Sequence, residues 1–163
     1  MTVITTQFEG QTHGMTANAF MSVSLVPPLV VVSVNNRAHM HRYLSTSQHF
    51  GVSVLAEDQE ALSNHFAGST FEGVQVPFST RHGIPLLDGA VAHLVARVVE
   101  THTAGDHTLY FGEVEYLDWR DDKPLLFYAG RYHQLSKKQP KPTPWPEDEY
   151  SLFSIGNFNL PTS

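Results

Sequence analysis

The chain has 163 residues, 41% of them hydrophobic, a net charge of −6 and no cysteine. That is enough apolar sequence for one domain with a real core, and it excludes a disordered chain. No run of lysines and arginines exists to hold nucleic acid or a membrane surface, and without cysteine there is no disulfide, thiolate metal site or thiol nucleophile.

Residues 1–10 lack the basic start and apolar core of a signal peptide, and no apolar run is long enough to span a bilayer. The expectation is a soluble cytoplasmic protein. Residues 1–6 (MTVITT) read as a strand, and Glu9-Gly10-Gln11 has turn chemistry, so a hairpin to residues 13–25 is expected. In residues 13–25, Met15, Ala17, Ala19, Met21, Val23 and Leu25 alternate with Thr16, Asn18, Phe20, Ser22 and Ser24. That period of two predicts one long half-buried strand whose other face carries a row of hydroxyls and an amide. The polar row suits either solvent or a flat ligand, which the small Ala17 and Ala19 would let approach the backbone. Pro27-Pro28 ends the ladder, and residues 29–34 (LVVVSV) read as a strand buried on both faces.

Asn35-Asn36-Arg37 makes a sharp exit, and residues 37–47 form a short helix with Arg37 at its start. Exposed amides there attract anions, and an arginine beside them suits phosphate. Residues 50–55 are a strand. Residues 58–68 are a helix capped by Asp58, ended by Gly68 and anchored by Leu62 and Phe66. Residues 69–83 read as a long loop. Residues 86–102 start at a turn, Asp88-Gly89, then alternate well from Val91 and read as a long strand, although their alanine and leucine content also suits a helix. Residues 103–107 turn, residues 108–119 are a strand, and residues 124–128 and 131–135 add two short ones. Closely spaced strands with few helices suggest a closed antiparallel barrel. Residues 1–135 are expected to form the domain. Residues 136–163 form a Pro-rich linker and a tail, acidic at first and then apolar.

Ten histidines invite a metal, but no HExxH and no clustered carboxylates accompany them, so they read mostly as scattered surface and turn residues. No GxSxG, GxGxxG or Walker loop occurs. In Ala104-Gly105-Asp106-His107, the first three residues build a turn and His107 starts a strand. A histidine there is either exposed by chance or placed to hydrogen-bond a substrate amide or manage a proton.

Six blocks, TVITT, HGMTANAF with SVSL and PPLVVVSV, FGVSVLAEDQEALSNHFAG, FEGV, PLLDGA and AGDHTLYFGEV, follow one another at close spacing. Together they resemble the flavin reductases that supply reduced flavin to two-component monooxygenases. The resemblance runs from Val3 to about Leu135. It implies a mainly β fold, a split β-barrel of the FMN-binding type, assembled as a homodimer with flavin near the subunit interface. It implies FMN or FAD as flavin and NADH or NADPH as reductant. It assigns flavin contacts to Thr16, Ala17, Asn18, Ala19, Ser22 and Ser24. Asn35, Asn36, Arg37 and His39 fall beside the flavin phosphate. His107 falls beside the nicotinamide as the catalytic candidate, with Tyr132 a further candidate for that pocket. Other expectations open to this fold are a flavoprotein using flavin in a biosynthetic step, and a non-catalytic flavin- or haem-binding module. Two departures stand out: relatives place a helix before the first strand, and many carry a hydroxyl where Met40 stands. The apolar tail at residues 150–160 is expected to pack back on the barrel or the partner subunit.

Overall fold

A computed structural model describes residues 1–69 and 76–135. The expected tail contact and the linker both lie outside the described residues. The chain opens with β1 (Thr2–Phe8) and β2 (Gln11–Ala17), an antiparallel pair closed by Glu9 and Gly10 with φ of 51° and 74°. Two successive positive φ values are the type I′ geometry, whose twist matches the strands it joins. The elements that follow are β3 (Phe20–Leu25), β4 (Pro28–Asn35), α1 (His39–Ser47), β5 (His49–Val54) and α2 (Glu60–Phe66). Then come β6 (Phe78–Arg81), β7 (Ile84–Leu87), β8 (Ala92–Ala104), β9 (His107–Trp119), β10 (Leu126–Tyr128) and β11 (Arg131–His133).

Seven strands form one sheet in the order β2-β1-β5-β8-β9-β4-β3, every pair antiparallel. β2 and β3 are neighbours in sequence but lie at opposite edges. The sheet must therefore curl for Asn18 and Ala19 to join them, and no ladder closes the gap among the described residues. This is a split barrel, mainly β, rather than the closed barrel that strand spacing alone suggests.

The strand expected over residues 13–25 is thus two strands. Its alternation changes phase at the join: Met15 and Ala17 pack on the core, then Phe20 does, while Met21, Val23 and Leu25 are exposed. A period-two pattern carries no sign of which partner each half will meet. The strand at residues 29–34 is buried on both faces as expected, with Val30, Val31, Val32 and Val34 all inside. Two further expectations are corrected. Residues 69–83 are not all loop, because Phe78–Arg81 pairs with Ile84–Leu87. Asp58 is not the cap of α2; Gln59 is, with no side-chain cap bond. The turn expected at Asp88-Gly89 does separate β7 from the long strand β8 that follows it.

The main core lies inside the sheet's curl and under α1, built from Ile4, Val32, Val34, Leu44, Phe50, Val52 and Tyr110 with smaller neighbours. A second cluster joins Val3, Leu55, Leu87 and Leu125 to Leu62 and Phe66 of α2, the helix face expected from their spacing. β8 and β9 are 13 residues each, with register shifts between Val95 and Ala96 and between Val98 and Glu100. Bulges bend a ribbon and add twist. Past Val98 every residue of β8 is exposed, so the ribbon carries its tip, Gly105-Asp106, beyond the core.

Candidate functional site

Three chain segments meet at one rim of the β3–β4–β9 half. The crossover residue Ala19 accepts a hydrogen bond at its carbonyl from Ser33 N–H of β4, at 3.0 Å. Two residues on, Asn35 is the register partner of His107. The turn that follows is bound to the β8–β9 tip: Asn36 N–H donates to Asp106 O at 2.9 Å, and the Thr108 hydroxyl donates to Asn36 Oδ1 at 2.7 Å. Asn35 Oδ1 accepts from Arg37 N–H at 2.9 Å, which fixes the turn into α1. The side chains of Asn35 and Asn36 therefore shape the rim, and Arg37 is the residue they present. Arg37 is exposed, and the helix behind it has no side-chain cap and no acidic residue in its first turn. Ala38 N–H is taken by Asn35 O and His41 N–H by Ala38 O, and the amides of His39 and Met40 next to a guanidinium make a seat for an anion such as a flavin phosphate.

His107 is partly buried at its base, and its Nδ1 lies 2.8 Å from Asp106 Oδ1. Hydrogen bonding from His107, then its charge, holds the Asp106 carboxyl below the usual carboxylate range. In the neutral ring, Nδ1–H donates to the carboxylate, and Nε2 is left as an acceptor.

The other expected residues divide. Asn18 and Ala19 are exposed at the crossover, Ala17 is buried, and the Thr16 hydroxyl is committed to Ser63 O of α2 at 2.6 Å. Ser22 and Ser24 sit on β3, at the far edge of the sheet from Thr16, with a register shift between them. The single polar face running from Thr16 to Ser24 does not form, because the crossover cuts it. Tyr132 lies on β11. Its hydroxyl meets Ser63 Oγ at 3.0 Å and Asn64 Oδ1 at 3.1 Å, so it anchors α2 with Thr16. His39 stands at the start of α1 with its ring near-parallel to Tyr43, 6.3 Å away. The sequence reading missed Asp106 as the partner of His107, although an acid directly before a strand-initial histidine is a usable signal. It also missed the ring cluster around Tyr43, which the four-residue spacing of His39 and Tyr43 foreshadows. Among the described residues no group of three or more histidines and carboxylates is placed to hold a metal ion, and no helix is long and apolar enough to cross a membrane.

Residues 1–136 match the sequence model of the flavin reductase-like domain. The chain belongs to the flavin reductase-like family. An NADH-dependent flavin reductase of a Rhodococcus species is 50% identical over 138 residues, covering 83% of this chain and 78% of that protein. Among solved structures, the flavin reductase PheA2 in its native state superposes with a TM-score of 0.81 at 46% identity, over 83% of this chain and 89% of that one. The styrene monooxygenase flavin reductase of Pseudomonas putida S12 gives 0.77 at 37% identity, over 87% and 91%. The split barrel and the family membership expected from the sequence blocks are both borne out.

Proposed function

We propose that this chain is an NADH-dependent flavin reductase that hands reduced flavin to a separate monooxygenase component. The observation that carries this reading is the convergence at one rim of an anion seat, an exposed crossover and an oriented histidine, in a chain of the flavin reductase-like family. The names of its relatives support NADH as reductant and a monooxygenase as recipient.

Bound flavin, FMN or FAD, supplies the hydride-accepting centre. The residues do the rest. Arg37 and the start of α1 hold the phosphate, with Asn35 and Asn36 fixing the turn that presents them. Asn18 and the backbone around Ala17 and Ala19 meet the polar edge of the ring. His107, oriented by Asp106, accepts from the carboxamide N–H of the nicotinamide at Nε2. Hydride transfer needs no protein acid at the migrating hydrogen, so placement of the two rings is the main task of these residues. Residues 1–135 are read as the catalytic domain and residues 136–163 as linker and tail, a division that the family match over residues 1–136 supports. A chain without cysteine fits the cytoplasm. The reading is tested by following NADH oxidation with and without added FMN or FAD. Flavin-dependent oxidation is expected; oxidation that ignores both flavins would overturn it.

Asn18→Leu tests the ring contact. Asn18 is exposed, so folding should be untouched, and loss of a hydrogen bond should weaken flavin binding about three- to tenfold. An unchanged dissociation constant in a fluorescence titration removes Asn18 from the site.

The working unit is read as a homodimer. β3 is an edge strand that shows Met21, Val23 and Leu25 to solvent, and Val26 in the turn after it is 91% exposed. An apolar edge of that kind needs covering. Met21→Asp is expected to shift the protein from dimer to monomer in sedimentation velocity while the melting temperature of the fold is retained at high protein concentration. A wild-type protein that sediments as a monomer refutes the dimer.

A further inference from the structure

Beside the rim, the β1–β2 hairpin packs against α1 and gathers three rings there. Tyr43 stacks on His13 with 4.0 Å between centroids and 27° between planes, and Phe8 lies 5.0 Å from Tyr43. The Arg42 guanidinium sits 5.6 Å from the centroid of the Phe8 ring. With Glu9 and Gln11 these side chains line a cavity of about 220 Å³. Core packing does not require this arrangement. The residues α1 buries are Met40 and Leu44, and all three rings are only half-buried.

We propose that this cavity is an adenine subsite, which takes the base of an adenosine-phosphate ligand anchored by its phosphate at Arg37 and the start of α1. The choice of that anchor rests on the flavin reductase reading. Half-exposed rings and an arginine plane are what a purine base stacks on. A glutamine carboxamide can pair two-pointed with the N6 and N7 edge of adenine, and the Glu9 carboxylate accepts from the N6 amino group. The cavity is smaller than the roughly 300 Å³ at which sites for whole drug-sized ligands begin, so it suits one base rather than a dinucleotide. Its place along the helix fits as well. Tyr43 follows His39 by about one helical turn, near 6 Å of rise, and the His39 ring bridges the interval 6.3 Å from Tyr43. A ribose spans a gap of that order between a phosphate and its base. The ligand is then FAD, because the seat at Arg37 is the flavin's and FMN has no adenine to offer.

Tyr43→Leu and Tyr43→Phe in the full chain decide this, read by FAD and FMN titrations and by the NADH KM measured with FMN as flavin. The leucine variant is expected to bind FAD about tenfold or more weakly, to bind FMN as before, and to be rescued by phenylalanine. Unchanged FAD binding would overturn the proposal, whatever the NADH KM. Equal losses for FAD and FMN would mean a packing role and overturn the proposal, as would no change in any of the three. Wild-type protein that reduces neither flavin would instead sink the reductase reading. Calorimetry with AMP then judges the cavity alone: binding that Tyr43→Leu abolishes supports it, and no binding overturns it.

Discussion

Phe50→Ala is expected to destabilise the fold by about 3–5 kcal/mol, the usual cost of deleting a buried aromatic ring. Phe50 has no solvent exposure and sits on β5, opposite Ala96 of β8. Its ring reaches past β8 to β9. A Cβ added to Gly112 would meet Phe50 Cζ at 2.7 Å and Ala96 Cβ at 2.8 Å. Gly112 and Ala96 are small because the ring occupies the space between the strands, so its removal leaves a void that neither can fill. β9 carries His107 at its start, paired there with Asn35 of β4, so flavin-dependent turnover should fall with stability near the unfolding midpoint. A domain of this size has about 5–15 kcal/mol to lose. A urea midpoint that falls with an unchanged slope is the expected record. A midpoint within error of wild type would show that the ring does not fill the core as described.

His107→Ala is expected to lower kcat/KM for NADH about ten- to a hundredfold and to leave flavin affinity near normal. The argument is positional. His107 is the first residue of β9, fixed by its register with Asn35 and Ala104, and its Nδ1 is held by Asp106. What remains free is one acceptor nitrogen in a set direction. Its loss should appear in the reductive half-reaction, where NADH is seated, and not in a flavin titration. Asp106→Ala should give a smaller loss of the same kind, because the ring remains but its tautomer and direction are no longer fixed. Wild-type reduction kinetics in His107→Ala would remove the residue from the reaction.

Local chemistry in the chain was legible wherever one segment decides its own conformation. Glu9-Gly10 specifies its hairpin because the turn's backbone angles depend on those two residues. The valines of residues 29–34 specify a strand buried on both faces because nothing else tolerates that run. Leu62 and Phe66 specify the buried face of α2 by spacing alone. His107 was visible as a strand-initial residue after a tight turn, and the family blocks named the fold and the chemistry together.

Tertiary structure decided what no single segment contains. Backbone ladders form between groups that are the same in every residue, so the alternation from Met15 to Leu25 could not say that its halves pair with β1 and β4 at opposite edges of a sheet. The same crossover puts Ser22 and Ser24 on a different strand from Thr16. Thr16 and Tyr132 each carry a hydroxyl suited to a ligand, and only the packing of α2 showed that Ser63 and Asn64 claim them. Conversely, the bond from Asn36 to Asp106 and the stack of Tyr43 on His13 join residues far apart in the chain. By itself the sequence determined the types of element, the tight turns and the family. The curl of the sheet determined which side chains share a site, because proximity across strands is set by register and closure rather than by any local pattern.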